Sequence, residues 1–334
     1  MTATTTTPVT TAAPARARTH VGWADLLWLT WRQHRWTVVG TAVAVGGVIA
    51  LALGMAWHVD ATGTADHRVL GEWRYLGLSQ FLVNVPVLLG GLFASFWAAP
   101  LLSREYEQRT HLVVWSQDVT PIRWLTGKVV LLGAAAVALA AGLSTALVKM
   151  MNSVNAVRNE YVPFQPFGNA EFEAVPQVQV AYAAFGFALG LALSAVTRRT
   201  VPAMGLALVG FYLVRGIVAA VWRPYFQTPL RSLEPYHVGS LSWVGDTDGR
   251  WRVESGYADA AGNEVRFTGE CSDVRSDADI EQCMRDHGIV HWYTDYHPAE
   301  RLLPFQLFET GIFLVLAAGL LALAFVWVRR ARRV

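Results

Sequence analysis

Three groups of residues have types and spacings that could do chemistry. Arg104, Glu105, Glu107, Thr110 and Trp115, followed by Pro121 and Arg123, gather alternating charges, a hydroxyl and an indole on one short polar stretch. Such a set suits a short helix held at the membrane surface, able to push or be pushed, or simply a solvated helix face. Arg215 and Glu309 are ionisable residues within or beside long apolar runs, where a charge is costly unless it finds a partner. Cys271 and Cys283 are the only two cysteines, 12 positions apart in one polar segment. They can form a disulfide, or join His287 and His291 around a metal ion. Gly288 interrupts any helix between those histidines and no Cys-x-x-Cys spacing occurs, so the expectation is a disulfide and no metal.

Signatures of catalysis do not accompany these groups. Gly127-Lys128-Val129 has neither the upstream glycine nor the following hydroxyl of a phosphate-cradling loop. No His-Glu-x-x-His occurs, and Gly77-Leu78-Ser79-Gln80 and Gly142-Leu143-Ser144-Thr145 lack the glycine that follows a nucleophilic serine. The expectation is that the chain is not an enzyme and binds no cofactor itself.

The elements that position these residues follow from composition. Of 334 residues, 53% are hydrophobic and 16% charged, against roughly 25% charged in a soluble protein. Six runs are long and apolar enough to cross a hydrocarbon core: Trp36–Trp57, Leu76–Pro100, Val129–Val148, Ala174–Thr197, Thr200–Trp222 and Thr310–Val328. The fold class is an all-α polytopic membrane protein of six transmembrane helices. At 1.5 Å per residue, Arg215 and Glu309 lie about 10 Å and about 8 Å below the same membrane face. That predicts an ion pair between them, the alternative being that each snorkels outward on its own. Gln80 and Asn84, four apart in the second span, either line a path or bond to neighbouring helices. Gly186, Gly190 and Ser194 in the fourth span, and Ala134, Ala138 and Gly142 in the third, predict close helix packing.

Six spans put both termini on one side. Lys and Arg number fourteen in the segments on that side against four in the two short loops opposite, which predicts cytoplasmic termini and a plasma-membrane location. A net charge of only +2 gives no pull toward nucleic acid. Residues 1–20 read as a disordered cytoplasmic tail. Trp23, Leu26, Leu27, Thr30, Trp31 and His34 follow helical spacing, as an amphipathic helix along the inner surface or a plain extension of the first span. Residues 21–222 then hold this helix and spans one to five, with a cytoplasmic loop at 101–128. Residues 305–334 hold the sixth span and a basic tail.

Between the last two spans, residues 223–304 form a small α+β extracytoplasmic domain, with 14 acidic against 7 basic residues within 224–304. Trp251–Tyr257 and Glu264–Thr268 read as a hairpin, and Ser276 begins a helix ending near Gly288. The predicted disulfide would tie hairpin to helix. In the loop at 101–128, Leu112, Val113 and Trp115 would line a short surface helix, with Glu105 and Glu107 at its start and Thr120-Pro121 ending it.

On this loop the chain resembles the type-2 permeases of ATP-binding-cassette (ABC) exporters, whose corresponding loop carries an Arg-Glu-x-Glu-x-Gly-Thr run, a Thr-Pro-x-x-Arg turn and a Gly-Lys at the next span. Arg104, Glu105, Glu107, Thr110, Thr120, Pro121, Gly127 and Lys128 match; Arg123 falls one position early and Arg109 replaces the glycine. Thr30-Trp31-Arg32-Gln33-His34-Arg35, and Tyr296 through Gln306, are most similar to actinobacterial members. The resemblance implies that the stretch from Glu105 to Trp115 is a coupling helix docking on a separate ABC ATPase, present in two copies, which would bind ATP and Mg. It also implies a second permease chain, as homodimer or heterodimer. Export is one expected function; an antibiotic or peptide sensor or immunity subunit without net transport is the other.

Overall fold

The structure is a computed structural model describing residues 22–65, 71–108, 120–157, 162–238, 249–267, 269, 271 and 276–331. Six helical runs are long and apolar enough to cross a membrane, within Trp23–Thr62, Glu72–Glu107, Pro121–Ala156, Pro176–Thr197, Thr200–Tyr225 and Ala299–Arg330. They contain the six expected spans almost entirely, only the first two residues of the fourth falling outside. The expected tail at 1–20 lies outside the described residues.

α1 (Trp23–Thr62) is a single uninterrupted helix, so the segment from Trp23 to His34 extends the first span and is not a separate surface helix. No glycine or proline occurs from Trp23 to Val39, and nothing there breaks the helix. It stops at Gly63, whose left-handed backbone (φ 68°) lets its N–H donate to Val59 O at 2.8 Å.

α2 (Glu72–Leu92) continues through a π-helical turn (Phe93–Ala98) into α3 (Ala99–Glu107). The widened turn comes just before Pro100, which has no N–H for the helical ladder. α4 (Pro121–Ala156) carries the third span. A short α5 (Asn169–Glu173) leads into α6 (Pro176–Thr197), and only two residues separate this from α7 (Thr200–Ile217).

α6 is central, packing on α2, α3, α4, α7 and the last helix, α9 (Leu302–Ala331). The stripe Gly186, Gly190, Ser194 makes this possible, because a Cβ on Gly186 would stand 2.2 Å from Gly90 O and one on Gly190 2.1 Å from Ala94 O. One turn on, Ser194 Oγ accepts the amides of Leu102 (3.2 Å) and Ser103 (2.8 Å). The second expected stripe behaves differently. Ala134, Ala138 and Gly142 are exposed, because α4 turns Leu132, Ala136, Ala140 and Leu143 inward instead.

Beyond α7 the chain passes through a second π-helical turn (Val218–Trp222) and a 3₁₀ turn (Arg223–Tyr225) into a four-stranded antiparallel sheet. Its strands are β1 (Leu230–Pro235), β2 (Trp251–Ala258), β3 (Glu264–Val265) and β4 (His291–His297), in spatial order β1-β4-β2-β3. The expected hairpin is β2–β3, although β3 is shorter than the run to Thr268, which lies outside the described residues. The sheet's centre, β4, was not anticipated, yet His-Trp-Tyr-Thr-Asp-Tyr-His is rich in residues that favour strands. α8 (Asp277–Asp286) follows Ser276 as expected. Cys271 and Cys283 are disulfide-bonded, joining the segment after β3 to α8. His287 lies beside both sulfurs, but bonded sulfurs present no thiolate to a metal.

Candidate functional site

Two charged clusters lie at opposite ends of the helical bundle. The first surrounds the end of α3, from which the chain enters residues 109–119. Thr110 and Trp115, with Leu112 and Val113, lie outside the described residues, so the expected surface helix is not described. Its roots are. Glu105 and Glu107 do not start a helix there; they occupy the last turn of α3, where the helix dipole disfavours a carboxylate.

Each carboxylate is compensated from another span. Glu105 pairs with Lys128 of α4, whose side chain is only 2% exposed and whose ammonium lies 4.2 Å from the Trp124 ring centroid. Glu107 takes both donors at the start of α7: Thr200 N–H to Oε1 at 2.8 Å and Thr200 Oγ1 to Oε2 at 2.7 Å. Amides left without partners at a helix N-terminus favour a carboxylate, so the wrong end of one helix is matched to the right end of another. Between them, Tyr106 lies under the Arg198 guanidinium at 5.4 Å, in the two-residue turn joining α6 to α7. Spans two, three, four and five therefore meet around one helical turn.

The other motif residues are placed by ordinary helix-start chemistry. Thr120 caps α4, accepting Arg123 N–H at 3.3 Å, and Pro121 occupies the first turn, where its missing N–H costs nothing. Thus Thr120-Pro121 begins the third-span helix. Arg123 stacks on Trp23 at 5.0 Å and fastens that start to α1. Arg104 lines a cleft with His34 and Thr37 of α1.

The second cluster is buried at the sheet end. Among the described residues no bond joins Arg215 to Glu309, contrary to the expected pair. Arg215 bonds Glu173 through Nε at 2.7 Å and through Nη2, while Arg223 bonds Glu309 through Nε and Nη2 at 2.7 Å each. Arg223 Nη2 also reaches Glu173 Oε1 at 2.7 Å, so two carboxylates and two guanidiniums form one neutral chain. Glu173, Arg223 and Glu309 are 1%, 2% and 0% exposed. The Tyr182 hydroxyl donates to Glu309, and the Arg223 guanidinium lies 4.2 Å from the Phe172 ring centroid. Glu173 and Arg223 each stand one residue outside the apolar runs ending at Ala174 and Trp222, which is why hydropathy alone left them out. Glu309 is matched instead by Arg223, just beyond the outer end of the fifth span.

Above this cluster, Phe167, Phe172 and Phe305 pack with Trp251, joining spans to sheet. His297 completes the joint, its Nε2 2.9 Å from Pro224 O and its Nδ1 3.0 Å from Arg301 Nη1. That pattern suits a neutral imidazole donating from Nε2 and accepting at Nδ1. Burial, with Arg301 adding to it, holds its pKa below the usual 6.5 against the opposing bond to Pro224.

Gln80 and Asn84 reach neither cluster. Both are exposed on α2, and Asn84 Nδ2 donates at 2.8 Å to Gln80 O of its own helix. Interhelical bonds to them are absent among the described residues.

Residues 39–223, covering the first five spans and the loop, match the family described as ABC-2 membrane transporter related. Among curated proteins, none matches the chain.

Proposed function

The chain belongs to the ABC-2 membrane transporter related family, and from that premise we propose that it is the permease of an ABC exporter, coupled through residues 101–128 to a separate ATPase. The observation that carries this reading is the root of that loop, where Glu105 is held by Lys128 of the third span and Glu107 by Thr200 of the fifth. A push on the loop would therefore reach two other spans through charge-assisted bonds, without first taking up slack. Thr110 and Trp115 are the residues we assign to contact the partner. Glu105, Glu107, Pro121 and Arg123 position the loop.

The chain binds no nucleotide in this reading; ATP and Mg belong to two ATPase subunits, paired with two permease chains. The loop end is cytoplasmic and the sheet extracytoplasmic, an orientation supported by the distribution of Lys and Arg and by a disulfide suited to an oxidising compartment. Gln80 and Asn84 would face the second permease, where exposed polar groups in an apolar span avoid lipid. The buried chain of Arg215, Glu173, Arg223 and Glu309 fastens spans four, five and six at the outer end.

Reconstitution with the cognate ATPase in sealed vesicles tests the reading. ATP-dependent movement of a substrate, lost when the ATPase is omitted, is the expected result. Ligand-stimulated ATP hydrolysis with no net movement would replace export by sensing or immunity.

A further inference from the structure

We propose that the cleft between α1, the π-helical turn and α4 binds the phosphate of an anionic membrane lipid. It goes beyond the coupling reading and needs only that the chain spans a membrane. The cleft encloses about 50 Å³ and is lined by His34, Thr37, Phe96, Trp97 and Arg104, among others. At roughly 10–15 Å³ for each water-sized site, this is room for several heavy atoms, the scale of a phosphate group.

Its chemistry is cationic. Among the described residues the Arg104 side chain makes no hydrogen bond or ion pair, and the neighbouring Glu105 and Glu107 bond to Lys128 and Thr200. A guanidinium offers a planar fork that fits two phosphate oxygens, beside the imidazole of His34 and the hydroxyl of Thr37. On α1 no acidic residue occurs between Asp25 and Asp60, so that wall brings no competing carboxylate. Arg32 and Arg35, stacked at 5.4 Å on Trp28 and Trp36, add positive potential on the same helix.

The surroundings favour a lipid over a free anion. Trp36 is exposed at the start of the first apolar run, at the level where indoles meet headgroups. Phe96 both lines the cleft and stands half exposed on the π-helical turn. A phosphate in the cleft would leave its acyl chains beside that ring.

The test uses the full chain, delipidated in detergent, with phosphatidylglycerol added over a phosphatidylcholine background and bound lipid counted by native mass spectrometry. Wild type is expected to retain phosphatidylglycerol selectively. Arg104→Gln should bind it about tenfold or more weakly, as expected for the loss of a charge-assisted bond. Thr37→Met, which narrows the cleft and leaves Arg104 in place, should weaken it too, so the test survives if one variant fails to fold. Unchanged affinity in the folded variants would overturn the site. Equal stabilisation by millimolar inorganic phosphate without lipid, lost in Arg104→Gln, would overturn the lipid assignment in favour of a free anion. No ATPase is present, so failure here and failure of the coupling reading are separate results.

Discussion

Glu107, in the last turn of α3, caps the first turn of α7 through Thr200, whose amide and hydroxyl donate to its two carboxylate oxygens at 2.8 and 2.7 Å. Glu107, two positions before the segment 109–119, is thereby joined to a helix more than ninety positions away in sequence. Thr200→Val keeps the shape and the amide bond but removes the hydroxyl. Glu107→Ala removes both acceptors. A double-mutant cycle on thermal unfolding should give a coupling of about 1 kcal/mol or more. Additive effects would show that the contact transmits nothing.

At the sheet end, Arg223 binds Glu173 and Glu309 together, whereas Arg215 binds only Glu173. Arg223→Met should therefore be the more damaging change, costing roughly 3–5 kcal/mol by leaving buried carboxylates unpaired. Yield of monodisperse protein and its melting temperature report this. Coupling of Arg223 to Glu309 should exceed that of Arg215 to Glu309, and the reverse order would restore the directly paired arrangement.

How far the sequence discloses this architecture depends on the scale of each feature. The spans are legible because hydrocarbon thickness demands long apolar runs, and the disulfide because two cysteines share one segment. The Arg215–Glu309 expectation failed on a local matter: both residues have partners one residue outside the apolar runs, where hydropathy sees an ordinary flanking charge. The roles of Lys128 and Thr200 were hidden for a different reason. Each is distant in sequence from its carboxylate, and no local period links them. Gly186 and Gly190 were readable as a close-packing stripe, while Ala134, Ala138 and Gly142 are also small and stay exposed, because small residues permit contact without enforcing it.

That stripe gives a sharp steric test. Gly190→Val would drive side-chain atoms into Ala94 O, already 2.1 Å from a built Cβ. Overpacking of this kind costs typically about 1–3 kcal/mol, and backbone on the opposing side cannot rotate away. Gly205→Val, at a glycine with nothing within 4 Å, is the matched control and should leave the melting temperature nearly unchanged.

Acid should loosen the joint between sheet and spans. His297 has a folded pKa below 6.5, so beneath that pH the unfolded chain binds a proton that the folded chain excludes. Its contribution is flat above pH 6.5, and stability declines as pH falls from there toward the folded value. His297→Gln, which retains a donor for Pro224 O, should reduce the slope of melting temperature against pH between about pH 5 and 7. An unchanged slope would assign the acid sensitivity to other groups.

Reducing Cys271–Cys283 should destabilise the sheet region by about 3 kcal/mol, the scale for closing a short loop. Hydrogen exchange in β2, β4 and α8 would register it, with the spans unaffected. Uniform loosening of the whole chain would contradict a local role for the bond.

The central claim is that the loop between the second and third spans docks a separate ATPase. Its most direct test is co-purification of the permease with its cognate ATPase, scored as ATPase retained per permease, for wild type and for Thr110→Ala combined with Trp115→Ala. Wild type should retain the ATPase, and the double variant should lose most of it while remaining monodisperse. Full retention by the folded variant would move docking off these residues, and a wild-type chain that holds no ATPase would contradict the account.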